Sequence, residues 1–275
     1  MTDSTGTFGA DNPRVRQLCA NVLRLLRGEE FSGARFEERK KIVICMTPRS
    51  GSSYLSSVLS ENGLGKVQEH FRVVKGALEA LCEKRKLETV EQWVAERIAN
   101  LSTGGIYGFK ADWPQFVPIY YLGGYDYFFR DAAFVYLTRN DVMAQAISRY
   151  ISTETGYFHS VQADLAHTVE KDIELDFDKL QGHLDRIVDM QGDWERFFAH
   201  EGISPLRISY EEIDADAGAV VRKIGSYAGL QLPEDLKLET DYRKVSTERN
   251  DRIRTMAIAE AKVRRTGANR PGATT

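Results

Sequence analysis

The chain has 275 residues and a formal net charge of −3, with 42% hydrophobic and 28% charged residues, a balance that suits a globular protein with ample core material. That slightly acidic charge argues against a nucleic-acid binder, which shows a domain-wide basic excess. No apolar run reaches the roughly 18 residues that span a bilayer and no secretory h-region opens the chain; the three cysteines, Cys19, Cys45 and Cys82, lack C-x-x-C spacing, so a protein of the reducing cytoplasm is expected.

Residues 1–12, rich in Thr, Gly, Asp and Ser, read as a flexible leader to a single domain over 13–275. An amphipathic helix is expected from Pro13 to Leu26, with proline at its start. Its arginines beside leucines leave peripheral membrane contact open, although packing on its own domain is the commoner use of such a face.

The stretch Lys41–Leu59, KIVICMTPRSGSSYLSSVL, has the grammar of strand, tight loop and helix. Gly51 lets backbone approach a ligand, and the helix that follows starts with unpaired N–H groups and the positive end of its dipole, so the loop is suited to an anion. Ser50, Ser52 and Ser53 add hydroxyls, and Arg49 adds a forked cation. The loop departs from the G-x-x-x-x-G-K-[ST] pattern of nucleoside-triphosphate binders, because Ser52 rather than lysine follows Gly51. The cationic role falls to Arg49 instead. An ordinary strand-to-helix turn is the plain alternative.

Glu69 follows on a connector, where a carboxylate could face the loop's ligand or simply lie in solvent. One helix is expected over 74–101, ended by Gly104-Gly105. Ile106–Lys110 then reads as a second strand with a lysine at its end, aimed into a ligand crevice or snorkelling at an edge. After a helix over Gln115–Leu122, Ala133–Leu137 is a continuous apolar run expected to be a buried strand. Arg139 stands at its carboxyl end, Asp141 caps the next helix, and Ser148 lies two turns into it. Residues 151–173 read as irregular or partly helical and could form a lid, 175–200 as a long amphipathic helix, Pro205–Tyr210 as a short strand, and 211–229 as one further helix. A charged helix to Arg265 follows a basic stretch that includes Arg243, Lys244 and Arg249. Strands alternating with helices give an α/β class with a mainly parallel sheet.

Four blocks in this order, T-P-R-S-G-S-S-Y-L, V-Q-E-H-F, Y-G-F-K-A-D-W and L-T-R-N-D-V-M-A-Q-A-I-S-R-Y, resemble the Stf0 family of bacterial sulfotransferases across roughly residues 41–255. The resemblance implies a P-loop-kinase-like three-layer fold with helical insertions. It also implies transfer of a sulfuryl group from 3′-phosphoadenylyl sulfate (PAPS) to a hydroxyl of a carbohydrate, lipid or small-molecule acceptor, releasing PAP without a metal. By position, it assigns Arg49, Ser50, Gly51, Ser52 and Ser53 to the 5′-phosphosulfate, Arg139 and Ser148 to the 3′-phosphate and Glu69 to the general base, and aligns Lys110 with the lysine of the family's G-G-K-like block; Arg49 and Lys110 would then stabilise the charge that grows on the leaving phosphate. A nucleotide kinase or NTPase of the same fold, and a non-catalytic nucleotide-binding protein, are the competing readings. Five histidines form no H-E-x-x-H pattern, which argues against metal catalysis. Trp113, Tyr120, Tyr121, Tyr125, Tyr157 and Phe158 could line a sugar platform or an acyl groove, although aromatics so spaced are more often core. The acceptor's identity and the oligomeric state, a homodimer included, stay open.

Overall fold

The computed structural model describes residues 8–27, 31–33, 36–74, 76–158, 173–242 and 248–267. They fall into two compact units, the first of residues 1–140 and 188–240, the second of 141–187 and 241–275. The expected leader is described only from Phe8, whose ring stacks on Trp113 at 5.5 Å while the Gly9 N–H donates to the Tyr121 hydroxyl at 2.7 Å. The tip of the expected lid, 159–172, and the basic Arg243 and Lys244 lie outside the described residues.

The first unit is built on a parallel sheet of four strands, β1 (Lys40–Met46), β2 (Ile106–Ala111), β3 (Ala133–Thr138) and β4 (Leu206–Ser209), in the order β2-β1-β3-β4. The register pairs Ile44 with Lys110 on one side and with Val135 on the other. Both faces of β1 are buried, which explains why its sequence is a continuous apolar run rather than an alternation. Val43, Cys45, Phe109, Phe134 and Tyr136 face one layer, where they meet α1 (Pro13–Leu23), α5 (Trp113–Tyr121) and the part of α7 (Phe177–Glu201) that belongs to this unit. Ile42, Ile44, Met46, Val135, Leu137 and Ile208 face the other, where α2 (Ser52–Glu61) and α9 (Ala217–Tyr227) close the core. The apolar face of α1, Val15, Cys19 and Val22, is thereby used within its own unit.

Local chemistry corrects two expected helices. The stretch 74–101 forms α3 (Ala77–Arg85) and α4 (Val90–Leu101), because Lys86 takes a left-handed φ of 55° and Thr89 starts a new helix through a capping box with Gln92. Likewise 211–229 divides into α8 (Tyr210–Ala215) and α9, with Asp216 closing one and capping the next. Trp113 and Tyr125, weighed above as acceptor-facing aromatics, are 0% and 2% exposed, so both are core side chains.

The second unit contains α6 (Val142–Thr155), the start of α7, and α10 (Glu248–Gly267) around Ile147, Tyr150, Leu180, Ile187 and Ile253. Helix α6 continues past Tyr150 to Thr155, so the start of the stretch expected to be irregular or partly helical is helix; Gly156, at φ 73°, ends it. Asp141 caps α6 as expected and pairs with Arg254 of α10 at 2.7 Å. Among the described residues no helix is long and apolar enough to cross a membrane.

Candidate active site

In the sheet order, β1 has β2 on one side and β3 on the other. Open α/β sheets form their ligand crevice beyond the carboxyl ends of such strands. The loop Thr47–Gly51 leaves β1 at that end and delivers the chain into α2. Its entrance is braced from α7, whose Trp194 indole N–H donates to the Met46 carbonyl at 3.1 Å. Two residues with positive φ on either side of Ser50, Arg49 at 70° and Gly51 at 82°, curl the loop before the helix begins. Glycine takes that conformation freely, but an arginine in it is strained by about 1–2 kcal/mol, a kind of strain that collects at ligand sites. Ser50 is fully buried and its Oγ has no hydrogen-bond partner among the described residues.

Arg139 follows β3 and reaches the same loop, its Nη1 donating to the Arg49 carbonyl at 3.5 Å. Its guanidinium lies 4.6 Å from the centre of the Tyr210 ring, a cation–π contact. The backbone N–H of the next residue, Asn140, donates to Glu211 at 3.1 Å, which fixes the turn. Burial, and then the nearby Arg139 charge, lower the Arg49 guanidinium to about 10. Two like charges held this close favour an anion between them, since an anion relieves their repulsion and replaces lost hydration. Tyr210 also walls the loop: a Cβ at Gly51 would come within 2.6 Å of its ring.

Glu69 and Lys110 are brought together by a backbone device that the sequence did not announce. Gly65 and Gly108 allow the connector after α2 to lie directly on β2; a Cβ at Gly108 would sit 2.7 Å from the Leu64 carbonyl oxygen. The Lys110 N–H then donates to the Gln68 carbonyl at 3.0 Å, and Gln68 forms a single parallel bridge with Phe109. Glu69 is therefore held beside the end of β2. Lys110 Nζ lies 3.7 Å from Glu69 Oε1 and donates to Ser53 Oγ at 3.1 Å. Burial pushes the Lys110 ammonium below its usual range, an effect opposed by the Glu69 carboxylate.

The other carboxylate oxygen of Glu69 accepts from Gln115 Nε2 at 2.9 Å, while Arg72 stands 3.8 Å away on the exposed side. Asp112 caps α5 through the Gln115 N–H and so sets where that side chain begins. Glu69, Lys110 and Ser53 thus form one group, and Arg49, Ser50, Gly51, Ser52 and Arg139 form the loop and its clamp. Ser148 lies on α6 in the second unit, where its carbonyl accepts from Ser152 Oγ at 2.6 Å. Sequence reasoning missed Gln115 and Tyr210, and neither carries a local signal, because each acquires its role through a contact dozens of residues away.

A cationic loop at the end of a central parallel strand, with a carboxylate–ammonium pair beside it, is an arrangement suited to an anionic ligand. Residues 125–255 match the Stf0 sulphotransferase family model. No curated protein matches the sequence at a significant level. Among solved structures, the crystal structure of a sulfotransferase from Alicyclobacillus acidocaldarius is similar at 14% identity and a TM-score of 0.47, over 86% of this chain and 98% of that one.

Proposed function

We propose that the protein transfers a sulfuryl group from PAPS to a hydroxyl of a carbohydrate, lipid or small-molecule acceptor and releases PAP. The observation that carries this reading is the pairing of Glu69 with Lys110 and Ser53 beside a loop that Arg49 and Arg139 make strongly cationic. Two half-buried cations and a buried, unsatisfied serine hydroxyl fit a donor carrying more than one anionic group.

In this reading the loop N–H groups, Arg49, Ser50, Gly51, Ser52 and Ser53 take the 5′-phosphosulfate, and Arg139 takes the 3′-phosphate. For Ser148 the same assignment rests on the sequence resemblance alone. Glu69 accepts the proton of the acceptor hydroxyl as its oxygen bonds to sulfur. The bond from sulfur to the 5′-phosphate oxygen breaks, its electron pair passes to the phosphate, and PAP leaves. Lys110 and Arg49 stabilise the charge that grows on that oxygen. Sulfuryl transfer needs no metal in this scheme, since side-chain cations supply the positive charge. The three cysteines of the chain are free thiols, which supports a reducing, cytoplasmic setting.

The test is incubation of the wild-type chain and the E69Q variant with sulfur-labelled PAPS and a panel of hydroxyl compounds, scored by label transfer and PAP release. Transfer by the wild type and a loss of 100-fold or more in E69Q are expected, from the usual worth of a general base. ATP turnover with magnesium and indifference to PAPS would point to a kinase or NTPase instead. Full transfer by E69Q removes Glu69 from the role of base.

A further inference from the structure

Gln115 is a polar side chain at the site that neither the motif blocks nor the donor needs. Its backbone N–H is already satisfied by the Asp112 cap, so the side chain is not required to start α5. Its amide is instead committed to Glu69, with Nε2 2.9 Å from Oε2. The reverse orientation of the amide would set two acceptor oxygens against each other, so Nε2 is the atom that faces the carboxylate. Its own Oε1 is buried without a partner among the described residues, a cost tolerated where the donor end is needed.

The consequence lies in the distance to Lys110. A carboxylate and an ammonium free to meet settle at about 2.7–2.9 Å, yet Glu69 Oε1 stands 3.7 Å from Lys110 Nζ. Lys110 turns to Ser53 Oγ at 3.1 Å instead, while Gln115 holds the far oxygen of Glu69 from the opposite side. A carboxylate locked tightly on a lysine is a weaker and less accessible proton acceptor.

We propose that Gln115 is the positioning residue of this site: its amide fixes Glu69 Oε2 and thereby holds Oε1 beyond hydrogen-bond length of Lys110, though still paired with it, and open to the acceptor's proton. The proposal rests on the reading of Glu69 as general base given above. The charged groups that face Glu69 are Lys110 from β2 and Arg72 from its own connector, while Ser53 of α2 reaches it only through Lys110.

The experiment uses the full chain, PAP release from PAPS with water as acceptor, and the pH–rate profile. Q115L is expected to lower kcat by roughly 10- to 100-fold and to leave the KM for PAPS within about twofold, since a misplacement of about 1 Å costs that much in rate. Q115E puts a second carboxylate against Glu69, and it is expected to move the acid limb of the profile to higher pH by about one unit or more, which a merely structural role would not do. A crystal structure of Q115L gives a readout independent of turnover, with the gap between Glu69 and Lys110 closing to hydrogen-bond length. The inference is overturned by wild-type kcat in Q115L, by an unmoved acid limb in Q115E, or by a Q115L structure that keeps the 3.7 Å spacing. A wild-type chain that neither binds PAP nor releases it from PAPS overturns the donor reading instead, and the Q115L structure then still decides whether the amide holds the carboxylate.

Discussion

Replacement of Gly108 by alanine isolates the contact that brings Glu69 to the sheet. The new methyl would lie 2.7 Å from the Leu64 carbonyl oxygen and 2.8 Å from Val67 Cγ2, where ordinary contact starts at 3.4 Å. Gly108 is not among the positive-φ residues, so the substitution adds no left-handed strain and its cost is steric. The connector must back away by roughly 0.5 Å or more, at an overpacking cost of about 1–3 kcal/mol. Glu69 moves with it, because the Gln68 carbonyl is the connector's tie to Lys110. The expected result is a stability loss in that range by urea denaturation, a fall in kcat of roughly 10-fold or more, and PAP affinity within about twofold of wild type, since the cations of the loop are untouched. A G108A protein with unchanged kcat and unchanged stability would refute this account of how the base is placed.

Three further outcomes follow from the same geometry. Gly51→Ala combines a left-handed φ with a clash against Tyr210, so it should cost roughly 3 kcal/mol in the wild type; in a Y210A background, which makes room for the methyl, the cost should drop to about 1–2 kcal/mol, as a double-mutant cycle by denaturation can show. Lys110→Ala should lower kcat at least 10-fold with little effect on PAP affinity, whereas a fall in affinity alone would make Lys110 a ground-state anchor. His70, 7% exposed and hydrogen-bonded to the Tyr107 hydroxyl at 2.9 Å, is lowered from 6.5 to about 4, chiefly by burial and then by the Arg97 charge. Between those values the unfolded chain binds a proton that the folded chain does not, so this contribution to stability is fully present above about pH 6.5 and falls by roughly 3 kcal/mol as the pH drops to 4. Urea titrations of H70Q should show a flatter pH dependence over that window, and an unchanged slope would mean that another group carries it.

The parts of the site that follow a strand could be read directly from the sequence. β1 and β3 appear as apolar runs bounded by polar residues, and Arg49, Gly51 and Arg139 follow them in the chain, so strand ends alone place these residues at one edge of the sheet. Asp141 was legible for a similarly local reason, a capping side chain ahead of an apolar helical period. What was not legible depends on contacts between distant residues. The position of Glu69 beside Lys110 depends on Gly65 lying against Gly108, and glycine spacing does not disclose a backbone-to-backbone approach. Tyr210 read as the last residue of a strand and Gln115 as the first of a helix, and only tertiary packing puts one under Arg139 and the other against Glu69. The two helices that split did so at Lys86 and Asp216, where cap chemistry outweighed a continuous apolar period.

The claim that Arg49 and Arg139 hold a nucleotide with phosphate groups at both its 5′ and 3′ positions is tested most directly by calorimetric titration of the wild-type chain and R139A with PAP and with AMP, which lacks the 3′-phosphate. The account predicts that the wild type binds PAP at least 10-fold more tightly than AMP, and that R139A loses this preference while binding AMP nearly as before, in keeping with about 1.5–3 kcal/mol for a charge-assisted contact. Equal affinities of the wild type for PAP and AMP, or an undiminished preference in R139A, would contradict it.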